Sequence, residues 1–144
     1  MTHYADSSFL VSCYLLDTNT STAKAYLSII GAPLAFTALH ALEVRNAFEL
    51  GVFRGFFSKA AGKAAWANLE IDLRSGRLMR TTVKWPTAFR RAAVLSEQHS
   101  AATGARSLDI LHVAAAKSVR ALEFVSFDSR QRAVALAAGF KVAP

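Results

Sequence analysis

The chain has 144 residues, 53% of them hydrophobic, with 17 Lys+Arg against 10 Asp+Glu for a net charge of +7 and a single cysteine. That is the size of one domain with a full core, spanning 1–144, and the apolar content excludes a disordered chain. A lone Cys13 excludes an internal disulfide and a cysteine-based zinc site, and fits a reducing, cytoplasmic setting.

In chain order, residues 4–5 read as a short strand ending at Asp6, and Ser7 or Ser8 is placed to cap a helix through residue 15. The spacing then predicts a helix over 20–30, stopped by Gly31 and Pro33, and a strand over 34–37. A helix over 38–50 follows, with Gly51 just past its end, and an Ala-rich helix over 58–73 closes at Ser75 and Gly76. Residues 78–83 are β-like, and Trp85, Pro86 and Thr87 open a helix to about 101. After the break at Gly104, Ser107 caps a helix to 120. An apolar run over 122–127 suits a buried strand, Asp128 starts the last helix, Gly139 ends it, and 140–142 add an edge strand.

Short strands alternating with helices predict a three-layer α/β domain, a short and mainly parallel central sheet flanked by helices. Ligands of such sheets bind beyond the carboxyl ends of the strands. No segment reaches the roughly 18 uninterrupted apolar residues of a membrane span, and the N-terminus lacks a signal-peptide pattern, so neither membrane association nor export is expected.

The net charge hides an asymmetry. Residues 1–72 carry five basic and six acidic side chains, and residues 73–144 carry twelve and four. Arg74, Arg77, Arg80, Lys84, Arg90 and Arg91 form the densest basic stretch, suited either to a solvated helix face or to RNA phosphates.

Four of the ten acids sit in apolar surroundings. Asp6 and Asp128 terminate strands, Glu43 shares a helix stripe with Leu39, Asn46, Ala47 and Leu50, and Asp109 lies in the first turn of its helix between Leu108 and Ile110. Singly, each has a structural explanation as a cap, a helix-dipole partner or half of an ion pair. Together, carboxylates gathered at one sheet edge repel unless a cation neutralises them. Oxygen ligands without Cys select Mg²⁺ or Mn²⁺ over zinc, and such a site facing a polyanion suits phosphodiester hydrolysis.

Four segments, YADSSFLV at 4–11, ALEVRNA at 41–47, RSLDILHVAA at 106–115 and FVSFDSRQ at 124–131, together resemble the PIN-domain ribonucleases, and within them the VapC toxins of toxin–antitoxin pairs. The resemblance implies a PIN-like fold and an Mg²⁺-dependent endoribonuclease with Asp6, Glu43, Asp109 and Asp128 as its catalytic, metal-holding quartet. It implies Ser7 and Ser126 as hydroxyl neighbours of the metal and Asn46 as a support for Glu43. Arg106 would hold the acids or touch substrate phosphate, and His112 would be a structural histidine. Asp17 reads as a loop or cap residue. A cognate antitoxin, seated in a groove along the small-residue helices flanking Gly51, and a homodimer are also implied.

Two rivals stand beside this reading. One is a catalytically silent RNA- or protein-binding module of the same fold. The other is phosphoryl transfer at Asp6, which lacks the second Asp that a haloacid-dehalogenase phosphatase needs at position 8, where Ser8 stands, and the acidic pair that a receiver domain needs before its acceptor.

Overall fold

The computed structural model describes residues 2–144. Its elements are β1 (Tyr4–Ala5), α1 (Ser7–Tyr14), α2 (Thr20–Ile30), β2 (Leu34–Phe36), α3 (Ala38–Phe53), α4 (Lys59–Ser75), β3 (Leu78–Arg80), α5 (Trp85–Thr103), α6 (Ser107–Ser118), β4 (Glu123–Val125), α7 (Ser129–Ala137) and β5 (Lys141–Ala143). Strands β1, β4 and β5 pair in parallel, in the order β1-β4-β5, and β2 pairs in parallel with β3. A parallel bridge between His3 and Leu34 joins the two pieces, with the Ala35 N–H donating to the His3 carbonyl at 2.9 Å. The strand order is therefore β3-β2-β1-β4-β5. The chain works outward from β1 on one side and resumes at β4 on the other, so the crevice between the carboxyl ends of β1 and β4 is where such a sheet offers a binding site.

Strand alternation divides the core. Tyr4 and Phe124, register partners, face a cluster built on Ala88, Leu95, Ile110, Val113 and Val134. Their neighbours Ala5 and Val125 face a second cluster of Phe9, Leu10, Tyr26, Val44, Phe48 and Leu69. With helices on both faces of a parallel sheet this is the three-layer architecture expected, and small residues do much of the packing: Ala114, Ala115 and Ala116 in α6 are all fully buried. No helix among the described residues is long and apolar enough to cross a membrane.

Several boundaries differ from the sequence-based expectation, each for a local reason. Asp6, not Ser7 or Ser8, caps α1, accepting from the Phe9 N–H at 2.7 Å, because a strand-ending Asp is already extended at its φ of −73° and ψ of 168°. Helix α3 runs through Gly51 to Phe53: Gly51 is buried in the helix, where a Cβ would overlap the Phe57 ring. This glycine is a point of close approach and not a stop signal. Strand β3 ends at Arg80, and Arg106 takes the cap position of α6 ahead of Ser107.

Candidate functional site

Asp6 leaves β1 and enters α1 at the crevice between β1 and β4. It is 4% exposed. Its Oδ1 accepts from the Phe9 N–H and from Ser8 Oγ at 3.1 Å, and its Oδ2 lies 2.7 Å from Ser126 Oγ, at the end of β4. No ion pair with Asp6 occurs among the described residues. Burial pushes its carboxyl above the ordinary range, against the hydrogen bonds from Ser126 and Phe9, the field of His112 and the bond from Ser8.

Glu43 projects from the second turn of α3 and meets α1 and α6. Ser7 Oγ donates to Oε1 at 2.8 Å, and His112 Nε2 makes a close contact with the same oxygen. The other ring nitrogen, His112 Nδ1, lies 2.9 Å from the Tyr4 hydroxyl, so the imidazole bridges Tyr4 and the Glu43 carboxylate. Burial raises the Glu43 carboxyl, but the bond and field of His112 and the Ser7 hydroxyl outweigh it and hold it below its ordinary value. Beside this ring, fully buried His40 donates Nε2–H to the Ala5 carbonyl at 2.8 Å; burial and the field of His112 push its pKa down to about 3, so it is a neutral strut between β1 and α3.

Asp109 and Asp128 complete the edge. Asp109 Oδ2 accepts from Arg106 Nε at 3.2 Å and from the Arg106 N–H at 3.3 Å. The Arg106 guanidinium is held charged by Asp109 first, then by the fields of Asp128 and Glu43, so three of the four acids act on one exposed cation. Asp128 caps α7, Oδ1 accepting from the Gln131 N–H at 2.9 Å, and its own N–H donates to Ser126 Oγ at 3.0 Å. Gln131, buried at 1% exposure, links the segments: its Oε1 is 2.8 Å from Ser126 Oγ, and its Nε2 donates to the Asp109 carbonyl at 3.1 Å.

All four predicted acids, with Ser7, Ser126 and Arg106, therefore belong to one connected region. Asn46 does not support Glu43: it is exposed on α3, and that supporting role is filled from other elements by Ser7 and His112. His112 is buried, as a structural histidine should be, yet it is also the nearest partner of a site acid. Gln131 and Tyr4 escaped the sequence reading. The Asp128-x-x-Gln131 pattern is that of an ordinary capping box, and Tyr4 reads as a core strand residue. Asp17 is a turn residue as expected, accepting from Ser12 Oγ at 2.7 Å and from the Asn19 N–H at 2.7 Å. It lines the far end of a groove of about 360 Å³ that runs along α1 from Ser7 and Glu43.

As the side chains are oriented, no three His, Cys, Asp or Glu among the described residues are grouped to hold a metal ion. Glu43 is turned to His112 and Asp109 to Arg106. The chemistry of the donor set nevertheless fits a hard cation, since the edge offers carboxylate and hydroxyl oxygens and one deeply buried acid with no ion pair.

No protein-family model matches the chain, and no curated protein matches it. Solved structures do. VapBC2 from Rickettsia felis, bound to a DNA fragment from its promoter, superposes with a TM-score of 0.67 at 14% identity, covering 100% of this chain and 98% of that one. FitAcB from Neisseria gonorrhoeae gives 0.65 at 15% identity over 99% and 97%. VapC20 from Mycobacterium tuberculosis, a toxin that cleaves the sarcin-ricin loop, gives 0.65 at 20% identity over 96% of both chains. At such identities the likeness is one of fold, and the fold is the PIN-like one that the sequence resemblance implies.

Proposed function

We propose that this chain is an endoribonuclease of the VapC type, a cytoplasmic toxin that hydrolyses RNA phosphodiester bonds at Asp6, Glu43, Asp109 and Asp128. The observation that carries the reading is the placement of these four acids along one edge of the sheet, around the carboxyl ends of β1 and β4, with the most buried of them, Asp6, in no ion pair among the described residues. The likeness of fold to VapC20 supports it.

The four acids would hold one or two Mg²⁺ or Mn²⁺ ions, which supply a hydroxide-like water and stabilise charge on the phosphodiester oxygens. The chain's own residues prepare that work. Ser7 and His112 fix the rotamer of Glu43, and Ser8 and the α1 amide at Phe9 fix Asp6 through its Oδ1. Arg106, exposed beside Asp109, is placed to meet a substrate phosphate, as a planar fork matched to phosphate oxygens. Arg74, Arg77, Arg80, Lys84, Arg90 and Arg91 lie in a stretch with no acid between Asp72 and Glu97; they would steer RNA toward the edge, so binding weakens steeply with salt.

A cognate antitoxin is the proposed partner, supported by the likeness to VapBC2. The expected small-residue seat at Gly51 is occupied by Phe57, and the exposed apolar side chains near it in the chain are Leu50, Phe53 and Phe56. A homodimer completes the proposal. One observation favours the silent binding module instead: Glu43 is turned to His112 and Asp109 to Arg106, and among the described residues no three acids are grouped as cation ligands.

Cellular RNA incubated with the purified chain, with Mg²⁺ or with excess EDTA, separates the readings once the cut ends are sequenced. The nuclease reading expects specific cuts with 5′-phosphate and 3′-hydroxyl ends, absent with EDTA and absent in Asp109→Asn. Cuts that persist in EDTA sink the metal assignment, and an absence of specific cuts in every RNA pool supports the binding module.

A further inference from the structure

With Asp6 ionised, as a cation ligand must be, the hydrogen count around Ser126 is short by one. Its Oγ carries a single hydrogen and stands 2.7 Å from Asp6 Oδ2 and 2.8 Å from Gln131 Oε1, both acceptors, while a lone pair takes the Asp128 N–H. The Gln131 amide cannot relieve the conflict by flipping. Only its nitrogen can face the Asp109 carbonyl, 3.1 Å away, so its oxygen must face Ser126. Nor does Gln131 behave as its sequence position suggests. In a capping box the third helical residue reaches back to the cap N–H; here that N–H is taken by Ser126, and the amide points inward, buried, between β4 and α6.

We propose that Gln131 is a positioning residue of the acidic site: it takes the hydroxyl hydrogen of Ser126 and ties the Asp109 backbone to the end of β4, leaving Asp6 Oδ2 as an open acceptor for a divalent cation. The inference rests on the nuclease reading above and deepens it, because it names the group that decides how Asp6 presents its outer oxygen. Gln131 touches neither cation nor substrate. It acts through Ser126 and through the Asp109 carbonyl, the kind of outer-shell partner whose loss weakens metal binding by about 10- to 100-fold.

Calorimetric titration of Mn²⁺ into the folded protein, well below its melting temperature, tests this without reference to cleavage. Gln131→Met keeps the length of the side chain and removes both hydrogen bonds, so the Ser126 hydrogen turns to Asp6; affinity should fall about tenfold. In a Ser126→Ala background the same substitution should cost much less, because the contested hydrogen is already gone. Tyr26→Phe, which loses a buried hydrogen bond at the other edge of the sheet, should destabilise the protein and leave Mn²⁺ affinity alone. If Gln131→Met does not fold, Gln131→Asn, too short to span Ser126 and Asp109, takes its place in the same titration. Wild-type affinity in the Gln131 variant overturns the inference alone, as does an equal loss in Tyr26→Phe or an equal loss with and without the Ser126 hydroxyl. A wild-type chain that binds no Mn²⁺ overturns the nuclease reading together with it.

Discussion

Two buried carboxylates stand at opposite edges of one sheet and are treated in opposite ways. Asp6 follows β1 at the carboxyl edge; Glu123 opens β4 at the amino edge, 7% exposed. Burial raises both. At Glu123 it is overcome by the Tyr26 hydroxyl, the charge of Lys141 at 3.4 Å and His3 Nδ1 at 3.0 Å, and the carboxyl lies below its ordinary value. At Asp6 burial prevails. Both have a hydroxyl donor within reach. The Tyr26 hydrogen goes to Glu123 in a cluster that includes a lysine, whereas the Ser126 hydrogen is contested by Gln131 and Asp6 has no ion pair among the described residues. The acid that serves the fold has a cation among its partners, and the acid poised for an external ligand has hydrogen-bond donors on one oxygen, a contested hydrogen on the other and no cation among the described residues.

The sharpest way to break that contrast is Asp6→Asn. An amide keeps the helix cap, since Asn and Asp serve alike there, and its N–H can donate to Ser126, which then donates to Gln131 without conflict. RNA cleavage should fall by at least about 1000-fold, some 4 kcal/mol of the transition-state stabilisation that a metal site supplies. Stability should move the other way. A folded pKa raised above the unfolded one means that Asp6 supports the fold only at acid pH, and that support is lost as pH rises through the folded value. Dialysed against EDTA at neutral pH, the variant should therefore melt higher than wild type, by at least about 3 °C, with the gap closing below the ordinary carboxylate range. A variant that loses activity and stability together would place Asp6 with the structural acids.

How much of this was legible in the sequence follows from the same contrast. The strand-end acids and the order of elements were readable, because apolar runs, glycine stops and Asp caps are local signals. Helix α2 coincides with its expected span. Gly51 misled because a glycine at a helix stop and a glycine beneath a ring look the same until Phe57 folds back on it. Asn46 misled because one helical turn from Glu43 is adjacency along the surface, while the carboxylate turns the other way, to α1 and α6. Gln131 was hidden by its capping-box spacing, and Glu123 by looking like an exposed residue at the edge of an apolar run. For Glu43, Gln131 and Glu123 the deciding partner lies some 20 to 120 residues away, which no local pattern carries.

Glu123→Ala is the next largest effect and has the opposite profile. It strands the Tyr26 hydroxyl and His3 together, so stability should fall by about 3 kcal/mol in chemical denaturation at neutral pH. The rate of RNA cleavage measured well below the melting temperature should stay within about twofold of wild type, a difference of under 0.5 kcal/mol. A cleavage defect as large as that of Asp6→Asn would mean that the two sheet edges are coupled and not independent.

The smallest expected effect separates the two ingredients that Asp6 lacks. Lys141 is 83% exposed and lies 3.4 Å from Glu123, so solvent screens it, and Lys141→Gln should cost no more than about 0.5 kcal/mol at neutral pH. Its signature is instead in the acid limb. Because the folded pKa of Glu123 is depressed, the stability it contributes is present above the unfolded pKa and lost as pH falls through the folded one. Without Lys141 that loss should begin at slightly higher pH, and about 1 M salt should bring wild type close to the variant. Tyr26→Phe should move the same limb further, since the hydroxyl is the largest single influence that holds Glu123 ionised. If Lys141→Gln moves it further instead, the cation is what distinguishes a structural acid from a site acid in this fold; if the order holds, an uncontested hydrogen is, and the competition between Asp6 and Gln131 for Ser126 becomes the more informative feature of the site.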